Sequence, residues 1–142
     1  MIDFRRESGF TLLELIIALS IIAVLAGIAT PAVDRIVERQ ALAAYAQQLT
    51  GDIRYVRQRK MNGDNFSITL KKHSYQVITD SVIIDAINAP DGIYYAGNNR
   101  KIKFSYTGAT AGEGMTILLF NSYGDLRKIT ITPVTGRVKI YY

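Results

Sequence analysis

Hydrophobic and polar positions fall into three successive patterns along the chain. From Leu15 to Val33 no residue is charged, and only Ser20 and Thr30 are polar. An uncharged run of this length is what a helix needs to cross a hydrocarbon core of about 30 Å. From Asp34 to Met61 the apolar residues thin to one stripe, Leu42, Tyr45, Leu49, Ile53 and Val56, spaced as on one face of a helix. Glu38, Gln47, Asp52, Arg54 and Arg59 occupy the other face. Asn62-Gly63-Asp64-Asn65 is turn chemistry, with Gly63 as a left-handed stop.

After that turn the period changes to two. Phe66, Ile68 and Leu70 alternate with Ser67, Thr69 and Lys71. Tyr75 and Val77 continue the pattern after a turn at Lys72-His73, and residues 80–92 are mixed. Lys101–Tyr106, Met115–Phe120, Ile129–Thr132 and Arg137–Tyr142 read as further strands, the near-continuous apolar run 115–120 being central. The expectation is an α+β chain. A long N-terminal helix, transmembrane in its first half and amphipathic in its second, packs its stripe on one antiparallel sheet of six or seven short strands.

Read as one helix, Phe10–Met61 spans about 78 Å at 1.5 Å per residue. Gly27 and Pro31 interrupt it. Pro31 removes a backbone donor and crowds the carbonyl one turn earlier. Either it ends the membrane segment or it kinks the helix near residues 27–31, and the immediate return of helical periodicity favours the kink. Arg5 and Arg6 before the apolar run place the N-terminus in the cytoplasm and the remainder outside. Arg35 and Arg39 weaken that bias. A cleaved secretory signal is the alternative, but its apolar core is shorter.

Composition adds exclusions. Cysteine is absent, so disulfides, thiolate metal sites and cysteine nucleophiles are excluded. The single histidine, His73, lies in a hairpin turn with no second histidine to complete a metal site. No serine sits in a nucleophile-elbow pattern. Gly108–Gly114 is glycine-rich but lacks the Gly-Lys-Ser/Thr of a phosphate loop, so it reads as a flexible loop between strands. No catalytic residue, cofactor or metal is expected. The net charge of +5 permits a polyanionic partner without requiring one. Arg127, Lys128, Arg137 and Lys139, beside Tyr141 and Tyr142, are the candidate DNA-contacting set. A solvated sheet edge guarded by cations accounts for the same residues.

One charge breaks the apolar segment that begins at Phe10: Glu14, within Ser8-Gly9-Phe10-Thr11-Leu12-Leu13-Glu14. This stretch, with the apolar run behind it, resembles the type IV prepilin signal. The resemblance implies that residues 1–9 are a cytoplasmic leader removed by a prepilin peptidase between Gly9 and Phe10. Phe10 is then N-methylated. It implies a filament-core helix at 10–33 and an extracytoplasmic domain at 34–142, made of an amphipathic helix (34–62) and a β-rich part (63–142). Leu49–Lys60, Phe66–Leu70, Tyr75-Gln76-Val77, Ile129-Thr130-Ile131 and Thr135-Gly136-Arg137-Val138 resemble the GspH/FimT-like branch of minor pilins and pseudopilins. The implied role is a structural subunit of a type IV pilus or a type II secretion pseudopilus, with DNA uptake in a competence filament as the alternative. The implied partners are other pilins, the peptidase, the inner-membrane assembly platform and the membrane itself, crossed once before assembly. Pairing Glu14 with the Phe10 ammonium of a neighbour neutralises two charges in a low dielectric and sets the register between helices.

Overall fold

The structure is a computed structural model describing residues 10–141 except Asn98, without the side chains of residues 28–32. It divides into two compact units, Met1–Arg35 and Ile36–Tyr142. The one long helix, α1, is Leu12–Met61. Pro31 therefore lies inside the helix rather than at its end.

In the first unit α1 opens on a reciprocal cap. The Glu14 amide donates to Thr11 Oγ1 at 3.2 Å, and Glu14 Oε2 accepts from the Thr11 amide and hydroxyl at 3.0 Å each. This is a capping box, in which Thr and Glu three residues apart satisfy donors that a helix start leaves open. The large apolar side chains behind it, Leu15 to Leu25, are exposed on every face, from 50% at Ile17 to 63% at Val24. Among the described residues no helix is long and apolar enough to cross a membrane. The uncharged run that suggested a span passes through residues 28–32, whose side chains fall outside the description.

In the second unit the expected stripe is the buried one. Leu42, Tyr45, Leu49, Ile53 and Val56, joined by Ala46, form a single core with both sheets. The helix stops as Gly63 predicts. Gly63 has φ +100°, its amide donates to Lys60 O, and the Asp64 amide reaches back to Arg59 O, the pairing of a Schellman cap. An Arg59–Asp64 ion pair at 3.0 Å closes it.

The sheet arrangement differs from expectation. Among the described residues there are eight strands in two four-stranded sheets. They are β1 Phe66–Lys71, β2 Ser74–Thr79, β3 Val82–Asn88, β4 Tyr94–Tyr95, β5 Arg100–Lys103, β6 Met115–Phe120, β7 Leu126–Ile131 and β8 Val138–Tyr141. Sheet A runs β3-β2-β1-β5 and sheet B runs β4-β6-β7-β8, with every pairing antiparallel. Two features hid this from a pattern reading. β3 carries a register shift opposite Val77/Ile78, which breaks period-two alternation. β4 has two residues, too few to show a period. The chain leaves sheet A after β3, visits sheet B at β4 and returns at β5. Both sheets bury against one stripe because Ile68, Leu70, Tyr75 and Ile102 come from A while Ile117, Leu119, Ile129 and Val138 come from B. β6 is internal, between β4 and β7, as the apolar run predicted.

The loop expected to be flexible at 108–114 is tied down. Gly108 is buried at φ +80°, and Phe104 bridges to Thr110.

Candidate functional site

Two groups of residues carry the functional expectations, and the structure adds a third. The first is the N-terminal set. Glu14 lies in the first turn of α1 and Phe10 just before it, most exposed among the large apolar side chains. Gly9 lies outside the described residues. In the single chain the Glu14 carboxylate already serves a local purpose, accepting from Thr11. The Thr-x-x-Glu spacing was available in the sequence and signals this cap. Gly27 lies within α1, and a Cβ there would meet nothing within 4 Å.

The second is the basic set. The structure does not gather its four members into one patch. On β7 the side chains alternate, so Arg127 is buried with Ile129 and Ile131 while Lys128 is exposed on the opposite face. Arg127 Nη1 donates to its own neighbour's carbonyl, Leu126 O. Lys128 pairs across strands with Tyr141, and its ammonium lies 5.9 Å from that ring's centroid. Lys139, opposite Thr130, shares this outer face. Arg137 precedes β8 and lies elsewhere. Together with Arg54 and Arg57 of α1 it lines an open cleft of about 690 Å³.

The third group was missed by pattern reading. Arg57 donates from Nε to Gly108 O and from Nη2 to Thr135 O, both at 2.9 Å. It thereby holds two loops together where Gly108 and Gly136 meet. Gly136 has φ +58°, and a Cβ there would stand 1.9 Å from Gly108 O. Only glycine fits both the conformation and the space. At the other end of the helical stripe, Glu38 Oε2 accepts from the Ser122 amide at 3.2 Å. Between these, the Tyr75 hydroxyl donates to Asp52 Oδ2. Burial and the Asp52 carboxylate push the Tyr75 hydroxyl far above its ordinary pKa, and burial pushes Tyr45 up to about 12. These contacts all bind sheet or loop to helix and none presents a reactive group.

His73 is exposed in the β1–β2 turn, with Nδ1 3.3 Å from Ile93 O. Among the described residues no group of three or more His, Cys, Asp or Glu could hold a metal ion.

Comparison with known proteins bears on the N-terminus and on the fold separately. The prokaryotic N-terminal methylation motif matches residues 4–30. No curated protein matches the chain. The fold is similar to the crystal structure of the type IV minor pilin FimU of Pseudomonas aeruginosa, with a TM-score of 0.59 over 74% of this chain and 91% of that one. Identity is 12%, so this second likeness concerns the fold. The chain thus carries the prokaryotic N-terminal methylation motif over the start of a long helix, and its fold is similar to that of a type IV minor pilin.

Proposed function

We propose that this protein is a minor pilin or pseudopilin, a non-enzymatic subunit that assembles through its N-terminal helix into a type IV pilus or a type II secretion pseudopilus. The observation that carries the reading is the all-round exposure of Leu12–Leu25 within the methylation motif. Burying an aliphatic side chain is worth about 1.5–3 kcal/mol. A helix leaving some ten of them uncovered needs lipid first and other helices afterwards. In this account a prepilin peptidase cuts between Gly9 and Phe10, and the subunit waits as a single-pass protein with its C-terminal domain outside the inner membrane. Glu14 then pairs with the methylated Phe10 ammonium of a neighbour as the assembly platform lifts the helix into the filament core. Gly27 and Pro31 are the positions within α1 where this account places a kink. Incorporation of Glu14→Ala into filaments, measured by immunodetection on sheared filaments, should fall strongly while processing continues; full incorporation would contradict the reading.

A second reading, DNA capture, is supported by one arrangement. Lys128, Lys139 and Tyr141 share the outer face of sheet B, two cations beside an aromatic ring, as a single-strand contact would use. Arg127, being buried, drops out of that contact set. Arg137 sits with Arg54 and Arg57 at the cleft instead. Salt-dependent DNA binding lost in Lys128→Ala/Lys139→Ala would favour this reading, and no binding at low salt would remove it.

A further inference from the structure

The two sheets have four edges: two are blunted, and a third, at β5, is cationic and covered at Lys103. β4 is two residues long. β8 is four residues long, carries Lys139, and has its Val138 carbonyl engaged by Arg54 Nη2. β5 carries Arg100, Lys101 and Lys103, and its Lys103 carbonyl is taken by the Ala111 amide. Short, charged or covered edges are how sheets avoid joining other chains. β3 is different. It is the longest strand, lies at the edge of sheet A, and exposes Val82, Ile83 and Ile84 at 62%, 52% and 50%. It has no cation and no proline; Asp85 is its one charge. The Ala86 amide on this edge is met by its own neighbour's carboxylate, Asp85 Oδ1, at 2.9 Å.

Charge decides what fits this edge. A β3–β3 pairing sets Asp85 near Asp85, and a β5–β5 pairing sets three cations against three. A β3 edge against a β5 edge brings opposite charges together, and the two strands run antiparallel within sheet A, so one sheet continues into the next without reversal. One register satisfies both backbone and charge. Asp85 lies opposite Val77 and Arg100 lies opposite Leu70, both on the core-side face of their strands and both exposed. Placing Asp85 against Arg100 makes a close pair without mutual hydrogen bonds, and puts the edge amide of Ala86 against Asn99.

We infer that β3 of one subunit docks on β5 of a second copy, extending sheet A across the contact with Asp85 facing Arg100 of that copy. The contact uses different patches on the two partners, so it propagates rather than closing into a dimer. This rests on the filament reading and names the contact through which neighbouring globular units would meet.

The chain has no cysteine, so introduced thiols report alone. Ala86→Cys and Asn99→Cys leave both charges in place. Purified full-length variants in detergent should form a disulfide-linked dimer under mild oxidation when mixed, and stay largely monomeric when oxidised singly. Asp85→Arg in the first variant should cut the cross-linked yield by about tenfold, and so should Arg100→Asp in the second. Combining the two reversals should restore it, which a merely destabilised fold would not do. No cross-link in the mixture, equal cross-linking in the single samples, or no restoration by the double reversal overturns the contact. The filament reading is scored separately on the same samples, by whether the chain begins at methylated Phe10.

Discussion

The Tyr75 hydroxyl donates to the Asp52 carboxylate across 2.5 Å, joining the second strand of sheet A to the middle of α1. Its ring also lies 5.7 Å from that of Tyr45, one helical stretch earlier on the same stripe. A buried aromatic with a satisfied polar tip fixes how a sheet sits on a helix, because the ring fills space and the hydroxyl selects one rotation. Tyr75→Phe keeps the ring and leaves a half-buried carboxylate without this donor. Denaturant unfolding should report a loss of about 1–3 kcal/mol.

The same pair predicts a pH dependence. Tyr75 and Tyr45 are both shifted upward, so the folded state holds their protons where the unfolded chain, near pH 10, releases them. Their stabilising contribution is complete below about pH 10 and is lost as pH rises through the folded values, the first of them about 12 at Tyr45. The unfolding midpoint should change little from these groups between neutrality and that threshold, then fall. Tyr45→Phe with Tyr75→Phe should flatten the alkaline limb.

Arg57 and Gly136 make the top of the domain a single unit. Gly136→Ala needs a β-carbon where the Gly108 carbonyl already stands, at a left-handed φ. A loss of about 2–4 kcal/mol is expected from unfolding curves, large for one methyl group. Arg57→Ala should cost about 1.5–3 kcal/mol, since two carbonyls lose a charged donor. Hydrogen exchange should then rise in both loops, near residues 105–110 and near residues 133–136, rather than in one.

Glu14 has two tasks in this account, and two substitutions separate them. Glutamine completes a capping box as glutamate does, but carries no charge. Glu14→Gln should keep the helix start while failing to pair with a neighbour's Phe10 ammonium. Glu14→Ala loses both. If filament incorporation falls equally in the two variants, the charge matters; if Glu14→Gln incorporates normally, the local cap is the whole of the residue's role.

What the sequence made legible follows from how local each signal is. The stripe Leu42–Val56, the Gly63 stop and the Lys72-His73 turn are set by neighbours within a few residues, and each lies where its pattern places it. The division into two sheets depends on which strand pairs with which, and strands in either sheet carry the same alternation. β3 was hidden for a further reason, its bulge, which turns a regular period into a mixed one. The basic set is divided between faces for a simple one. Arg127 and Lys128 are adjacent on a strand, so they face opposite ways. Arg57 offered no signal at all, since its two partners are 51 and 78 residues away.

The central claim is that residues 10–33 become a filament core after a cut that creates a new amine beside Glu14. Intact-mass analysis of the protein, made in a host with a prepilin peptidase, tests it directly. The account predicts a chain lacking residues 1–9 that begins at Phe10 and carries one added methyl group. A chain of undiminished mass, with residues 1–9 retained, would contradict it.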